Sequence, residues 1–240
     1  MAKKQFFCII DTETTQNNLV ADFAAVIVDR HGQVYNQCAV LTDGIFTDYE
    51  NSPLFFTSDK EGIWSKQGQD KRYSVYNRMV AEGTRMVASV SAINNWLAKA
   101  AAQYSPIVTA YNFAFDRDKC RNTGIDLTVF SSSFCLWHCA VGKFANTKQY
   151  KRFVLENHGF NMPTSKGNMT FKTNAEIMAR FVLGQPDLAD EPHTALEDVI
   201  FYELPIFKAI FKRGSVKKNI ENSRSYNWRD FQVKDHFSVK

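Results

Sequence analysis

The chain has 240 residues, 45% of them hydrophobic, and a formal net charge of +4, which is enough apolar material for one full core with a modest appendage. No apolar run approaches the roughly 20 residues of a membrane span, and the run Phe6 to Ile10 stops at Asp11, too soon for a secretory leader. Five scattered cysteines, an odd number, argue against a disulfide framework and point to a soluble protein of a reducing compartment, the cytoplasm, or a host's cytoplasm if the chain is virus-encoded.

In chain order, residues 5–10 are continuously apolar and read as a strand buried on both faces. Residues 22–29 and 33–41 flank the turn signal Asp29-Arg30-His31-Gly32 and form a predicted antiparallel hairpin. The stretch 43–72, punctuated by Asp, Ser, Pro and Gly, reads as an irregular insertion carrying the exposed-looking aromatics Phe46, Tyr49, Phe55, Phe56 and Trp64. Helices are predicted near 74–82 and 89–103, the second with Val90, Ile93, Trp96, Leu97 and Ala101 along one face. Ile107 to Tyr111 is a short strand leading into a helix over about 113–122. Further helices fall near 136–145, 148–158, 173–183 and 195–212. The last has Leu196, Val199, Ile200, Phe207, Ile210 and Phe211 on one stripe, and Pro205 inside it predicts a kink or break. Three strands followed by alternating helices and strands give a mixed α/β sheet, antiparallel first and then parallel, covered on both faces. The expected division is a catalytic domain over 1–212 and a basic tail over 213–240. The tail carries seven Lys/Arg against three acids, whereas the first 212 residues are balanced. Tyr226, Trp228 and Phe231 among those basic residues fit either stacking on a single strand or docking onto the domain itself.

Chemistry is concentrated in three segments. Asp11 and Glu13 are two apart on a strand, so both carboxylates project from one face, a crowding that a divalent cation relieves. Asp116 falls in the first turn of a helix that Asn112 can cap, where the helix dipole favours an acid. Thr194 and Glu197 have capping-box spacing, which puts His193 at N′ and Asp198 at N4, the two positions that ordinarily hold a touching apolar pair. A histidine and an aspartate there suit a general base beside a metal ligand. Cys135, His138 and Cys139 suggest zinc less well, since the spacing is Cys-x3-Cys and no convincing fourth ligand follows; buried thiols on a helix are the plainer reading.

Taken together, Asp11-Thr12-Glu13-Thr14-Thr15, Asn112-Phe113-Ala114-Phe115-Asp116 and His193-Thr194-Ala195-Leu196-Glu197-Asp198 resemble the three motifs of the DEDDh 3′-to-5′ exonucleases. That family includes the proofreading subunit of bacterial DNA polymerase III, ribonuclease T and oligoribonuclease. The motifs come in the family's order over residues 5 to about 212, with the histidine five positions before the last acid. The resemblance implies a ribonuclease H-like fold. Asp11, Glu13 and Asp198 would be direct ligands of two Mg²⁺ or Mn²⁺ ions, Asp116 would ligate mainly through water, and His193 would be the base. It also implies Thr12 and Thr14 beside the terminal nucleotide of a nucleic-acid 3′ end, with Asn112 among the substrate contacts and Phe113 or Phe115 lining the slot. The insertion and the tail match nothing in it. Two other functions fit the same residues: a non-catalytic nucleic-acid or polymerase-binding module, and a hydrolase of short oligonucleotides. DNA or RNA preference, a polymerase partner and homodimer formation are not legible.

Overall fold

The structure is a computed structural model that describes residues 4–163 and 167–233. Six strands form one mixed sheet: β1 (Phe6–Thr14), β2 (Val20–Asp29), β3 (Val34–Thr42), β4 (Met86–Ala88), β5 (Ile107–Ala110) and β6 (Ser133–Cys135), in the order β4-β3-β2-β1-β5-β6. The first three pair antiparallel, and β4, β5 and β6 add in parallel to β3, β1 and β5. The α/β class with an antiparallel opening is therefore as expected. The three-residue strands β4 and β6 were not, being too short to show a period.

Alternation along β1 builds two cores. Phe7 and Ile9 join Ala24, Val26 and Val28 on one face, under α4 (Leu136–Ala140), α6 (Ala175–Leu183) and α8 (Leu204–Phe211). Cys8 and Ile10 join Phe23, Ala25 and Ile27 on the other, under α2 (Val90–Tyr104) and α3 (Phe113–Thr123). Helices thus cover both faces, and β1 is buried between them, as its unbroken apolar run requires.

The remaining helices are α1 (Lys66–Ala81), α5 (Lys148–Glu156), α7 (Ala195–Asp198) and α9 (Val216–Glu221). Helix α1 begins inside the stretch expected to be irregular, capped by Ser65, whose hydroxyl accepts from the Gly68 N–H. Of the aromatics of that stretch, Tyr49 and Phe55 are exposed as expected and Phe56 and Trp64 are partly so, but Phe46 is buried. Phe46 packs with Leu54 and Tyr76 in a third, smaller core, while Phe55 and Trp64 face the cavity described below. The start of α1 lies ahead of the predicted helix at 74–82 because Lys66 to Asp70 has no apolar period.

The predicted helix over 195–212 is continuous but changes character. α7 passes into a π-helical turn over Val199–Glu203, and Pro205 follows at the start of α8. A proline removes an N–H and crowds the preceding turn, and the wider i→i+5 turn just upstream absorbs that conflict. Beyond α9, the tail docks on the domain. Phe231 is fully buried in the first core, its carbonyl accepts from the Phe171 N–H at 2.8 Å, and Tyr226 stacks between Trp137 and Phe231. The tail's Lys234, Asp235, His236 and Lys240 lie outside the described residues. Among the described residues, no helix is long and apolar enough to cross a membrane.

Candidate active site

Strand β1 runs on past its apolar stretch, so Asp11 and Glu13 lie within the sheet rather than beyond its end. They continue the face of Phe7 and Ile9 and therefore point toward α7 and the π turn. Thr12 points the opposite way, toward α3, where its hydroxyl donates to Asp116 Oδ1 at 2.8 Å. Asp116 is thereby placed from the second face, while Asp198 arrives on α7 from the first. Asp11, Glu13, Asp116, His193 and Asp198 all line one cavity of about 340 Å³. One ligand atom each from Glu13, His193 and Asp198 lie within 4.8 Å of one another, close enough to share a cation.

The capping box expected between Thr194 and Glu197 does not form. Thr194 is the N-cap of α7, but its hydroxyl makes no cap bond, and Glu197 turns away to Arg85 Nη2 at 2.5 Å. The cap comes from across the sheet: Asp22 on β2, which pairs with Glu13, accepts from the Ala195 N–H at 2.9 Å. Arg85 lies against both carboxylates, 3.4 Å from Asp22 and wholly buried. Tyr76 donates to the His193 carbonyl at 3.3 Å. This network holds His193 at φ +55°, a left-handed conformation that a non-glycine residue adopts when its surroundings enforce it. Asn112, likewise, sits at φ +78° and makes no side-chain cap bond to α3; its place is on the cavity wall.

Of the other expected contacts, Thr12, Thr14 and Phe115 line the cavity. Phe113 does not: it packs against the second core, because successive positions at the start of α3 face different sides. Several wall residues belong to none of the three motifs. Trp64 lies 4.5 Å, ring to ring, from His193, and Phe55, Asn18, Lys119 and Glu191 complete the wall. A second cavity, of about 440 Å³, adjoins the first through Asp11, Tyr111, Asn112 and Glu191, and Glu203, Trp137 and Tyr226 line it.

Burial dominates the electrostatics. It pushes Glu13 up to about 8 against the pull of Arg72, Asp116 up to about 7, and Asp198 up to about 10, with Glu191 and Glu13 adding to the last. Asp11 is raised well above the carboxylate range by burial and then by Glu203. His193 is lowered to about 4 by burial and by the Arg72 guanidinium, so the imidazole is neutral near pH 7. With its imidazole uncharged near pH 7, His193 makes no salt bridge to Glu13, 3.7 Å away. Among the described residues, no hydrogen-bond donor reaches the buried Asp11 Oδ2 or Asp198 Oδ1. Unpartnered buried carboxylate oxygens in a shared space are a donor set suited to hard divalent cations such as Mg²⁺ or Mn²⁺.

The chain was compared with protein-family models, with curated proteins and with solved structures. It matches none of them. The functional reading therefore stands on this cavity and on the three motifs that converge in it.

Proposed function

We propose that the chain is a metal-dependent 3′-to-5′ exonuclease of the DEDDh kind on a ribonuclease H-like fold, releasing nucleoside 5′-monophosphates from DNA, RNA or both. The observation that carries this reading is the convergence of four acids and one neutral histidine, from three distant stretches of sequence, on one cavity. The resemblance of those stretches to the family's motifs supplies the 3′-to-5′ direction.

Asp11, Glu13 and Asp198 would hold two divalent cations, with Asp116 contributing through water. Bound there, the ions would neutralise the phosphodiester and stabilise charge on the attacking and leaving oxygens. The protein's own groups do the rest. His193, neutral and at the cavity wall, takes the proton from the attacking water. Phe55, Trp64 and Phe115 offer faces on which a terminal base stacks. Lys119, its ammonium 4.7 Å from the Phe115 ring, is placed to meet a phosphate at the rim. Thr12 fixes Asp116 through its hydroxyl.

The deciding experiment is a degradation series on single- and double-stranded DNA and RNA with the 3′ or the 5′ end blocked, with Mg²⁺. Stepwise release of mononucleotides, stopped only by a 3′ block, is the expected result. Release that a 5′ block stops and a 3′ block does not overturns the direction. Binding without cleavage favours a non-catalytic module, and action on dinucleotides alone favours a hydrolase of short oligonucleotides.

A further inference from the structure

We propose that Glu203 is a fifth carboxylate of the acid centre and that, together with Asp11, it holds one of the two divalent cations, leaving the other to Glu13 and Asp198 beside His193. The inference rests on the proposed function and concerns which residues of this chain share the metal load.

Glu203 is 2% exposed. One of its oxygens, Oε1, accepts from the Tyr111 N–H at 3.0 Å. The other, Oε2, is buried and, among the described residues, meets no donor; the same is true of Asp11 Oδ2. Both side chains line the second cavity, as does Glu191. Two buried carboxylates that raise each other's proton affinity, each with an oxygen that meets no donor, are relieved by a proton or by a cation between them, and a cation serves both at once. Asp11 stands outside the group of ligand atoms formed by Glu13, His193 and Asp198, and Asp116 already accepts from the Thr12 hydroxyl. Of the two other acids that line the second cavity with Asp11, Glu203 and Glu191, Glu203 is the one that is fully buried with an oxygen no donor reaches among the described residues, and it is the one assigned to share a cation with Asp11. A hard cation that keeps several waters needs only one or two carboxylates from the protein.

The backbone shows how Glu203 reaches the site. In an α-helix two residues five apart differ by roughly 140° in direction, so Asp198 and Glu203 would face different sides. The π turn over Val199–Glu203 replaces the i→i+4 spacing with i→i+5 and brings the two carboxylates round to the same centre. Such single π turns inside helices recur at functional sites. The sequence carries a trace of this: in the stripe Leu196, Val199, Ile200, Phe207, Ile210, position 203 is where an apolar residue belongs, and it is a glutamate.

The test is calorimetric titration of the full chain with Mn²⁺ alone, without nucleic acid, for wild type and Glu203→Gln. The glutamine keeps the side-chain volume and a carbonyl for the Tyr111 N–H, and removes the charge. Wild type is expected to bind two Mn²⁺. Glu203→Gln is expected to lose affinity at one of them by roughly 10–100-fold or more, to keep the other, and to melt no lower than wild type in EDTA. Two sites with affinities within about twofold of wild type would overturn the proposal and leave the exonuclease reading standing. A wild type that binds no Mn²⁺ would remove both. If Glu203→Gln does not fold well enough to titrate, Glu203→Asp retains the charge but shortens the reach by one methylene; weakening of one site supports the assignment, and unchanged binding at both overturns it.

Discussion

His193 touches two kinds of chemistry at once. Its ring is neutral and close to Trp64, as a proton acceptor for water requires, yet one of its nitrogens also lies within cation-sharing distance of Glu13 and Asp198. The proposed mechanism makes it the base, and His193→Ala separates the roles. The rate should fall by roughly 10²–10⁴-fold while Mn²⁺ affinity stays within about threefold of wild type, well short of the roughly 10–100-fold loss that follows from disturbing a ligand's surroundings. Rate and affinity falling together would make the imidazole a ligand instead. Sequence reasoning reached His193 and Asp198 through a capping box that does not form. The spacing was informative, but the cap is Asp22 and the expected partner, Glu197, is drawn off by Arg85. Asp11 and Glu13 were legible because strand alternation is local. Glu203 was legible in principle, as the charge in an apolar stripe.

At the level of elements, the turn leading into α7 is held by parts that no local pattern connects. Asp22 comes from β2, Arg85 from the residue before β4, Tyr76 from α1 and Glu197 from α7 itself. Asp22 and Arg85 are each buried in the apolar interior, and breaking a buried ion pair leaves an uncompensated charge. Arg85→Met should therefore destabilise the fold by about 3–5 kcal/mol, and adding Asp22→Asn should recover part of that loss. Chemical denaturation checks both. Arg85→Met within 1 kcal/mol of wild type would mean the network does not brace this turn. The same elements explain why fold class was easier to read than element bounds. The buried strand β1 and the hairpin β2-β3 declare themselves by composition, whereas β4 and β6 exist because β3 and β5 pair with them, and the start of α1 has a local cap, Ser65, with no apolar period behind it. The π turn was not legible, because Pro205 marks a break without fixing its form.

Across the whole molecule, six acids, Asp11, Glu13, Asp116, Glu191, Asp198 and Glu203, gather around two adjoining cavities, and that carries a pH signature. Glu13 moves from the ordinary 4.5 to about 8, and Asp116 and Glu191 to about 7, all chiefly through burial. The native state thus holds more protons than the unfolded chain across that interval, and raising the pH strips them at the expense of native stability. In EDTA the melting temperature should fall as pH rises from about 5 to about 8, and it should be highest on the acid side. Cation binding displaces the same protons, so the rise in melting temperature on adding Mg²⁺ should be larger at the upper end of the range. A melting temperature in EDTA that climbs steadily through this interval would mean that these acids are charged and satisfied without cations.

The central claim is that the acids at 11, 13, 116 and 198 serve one cation-dependent hydrolysis. It is tested most directly by measuring release of 5′-mononucleotides from a 3′-end-labelled oligonucleotide with Mg²⁺ or EDTA, for wild type and for Asp11→Ala verified as folded. The account predicts release by wild type with Mg²⁺, none in EDTA, and none from Asp11→Ala under either condition. Release by Asp11→Ala at the wild-type rate would contradict it.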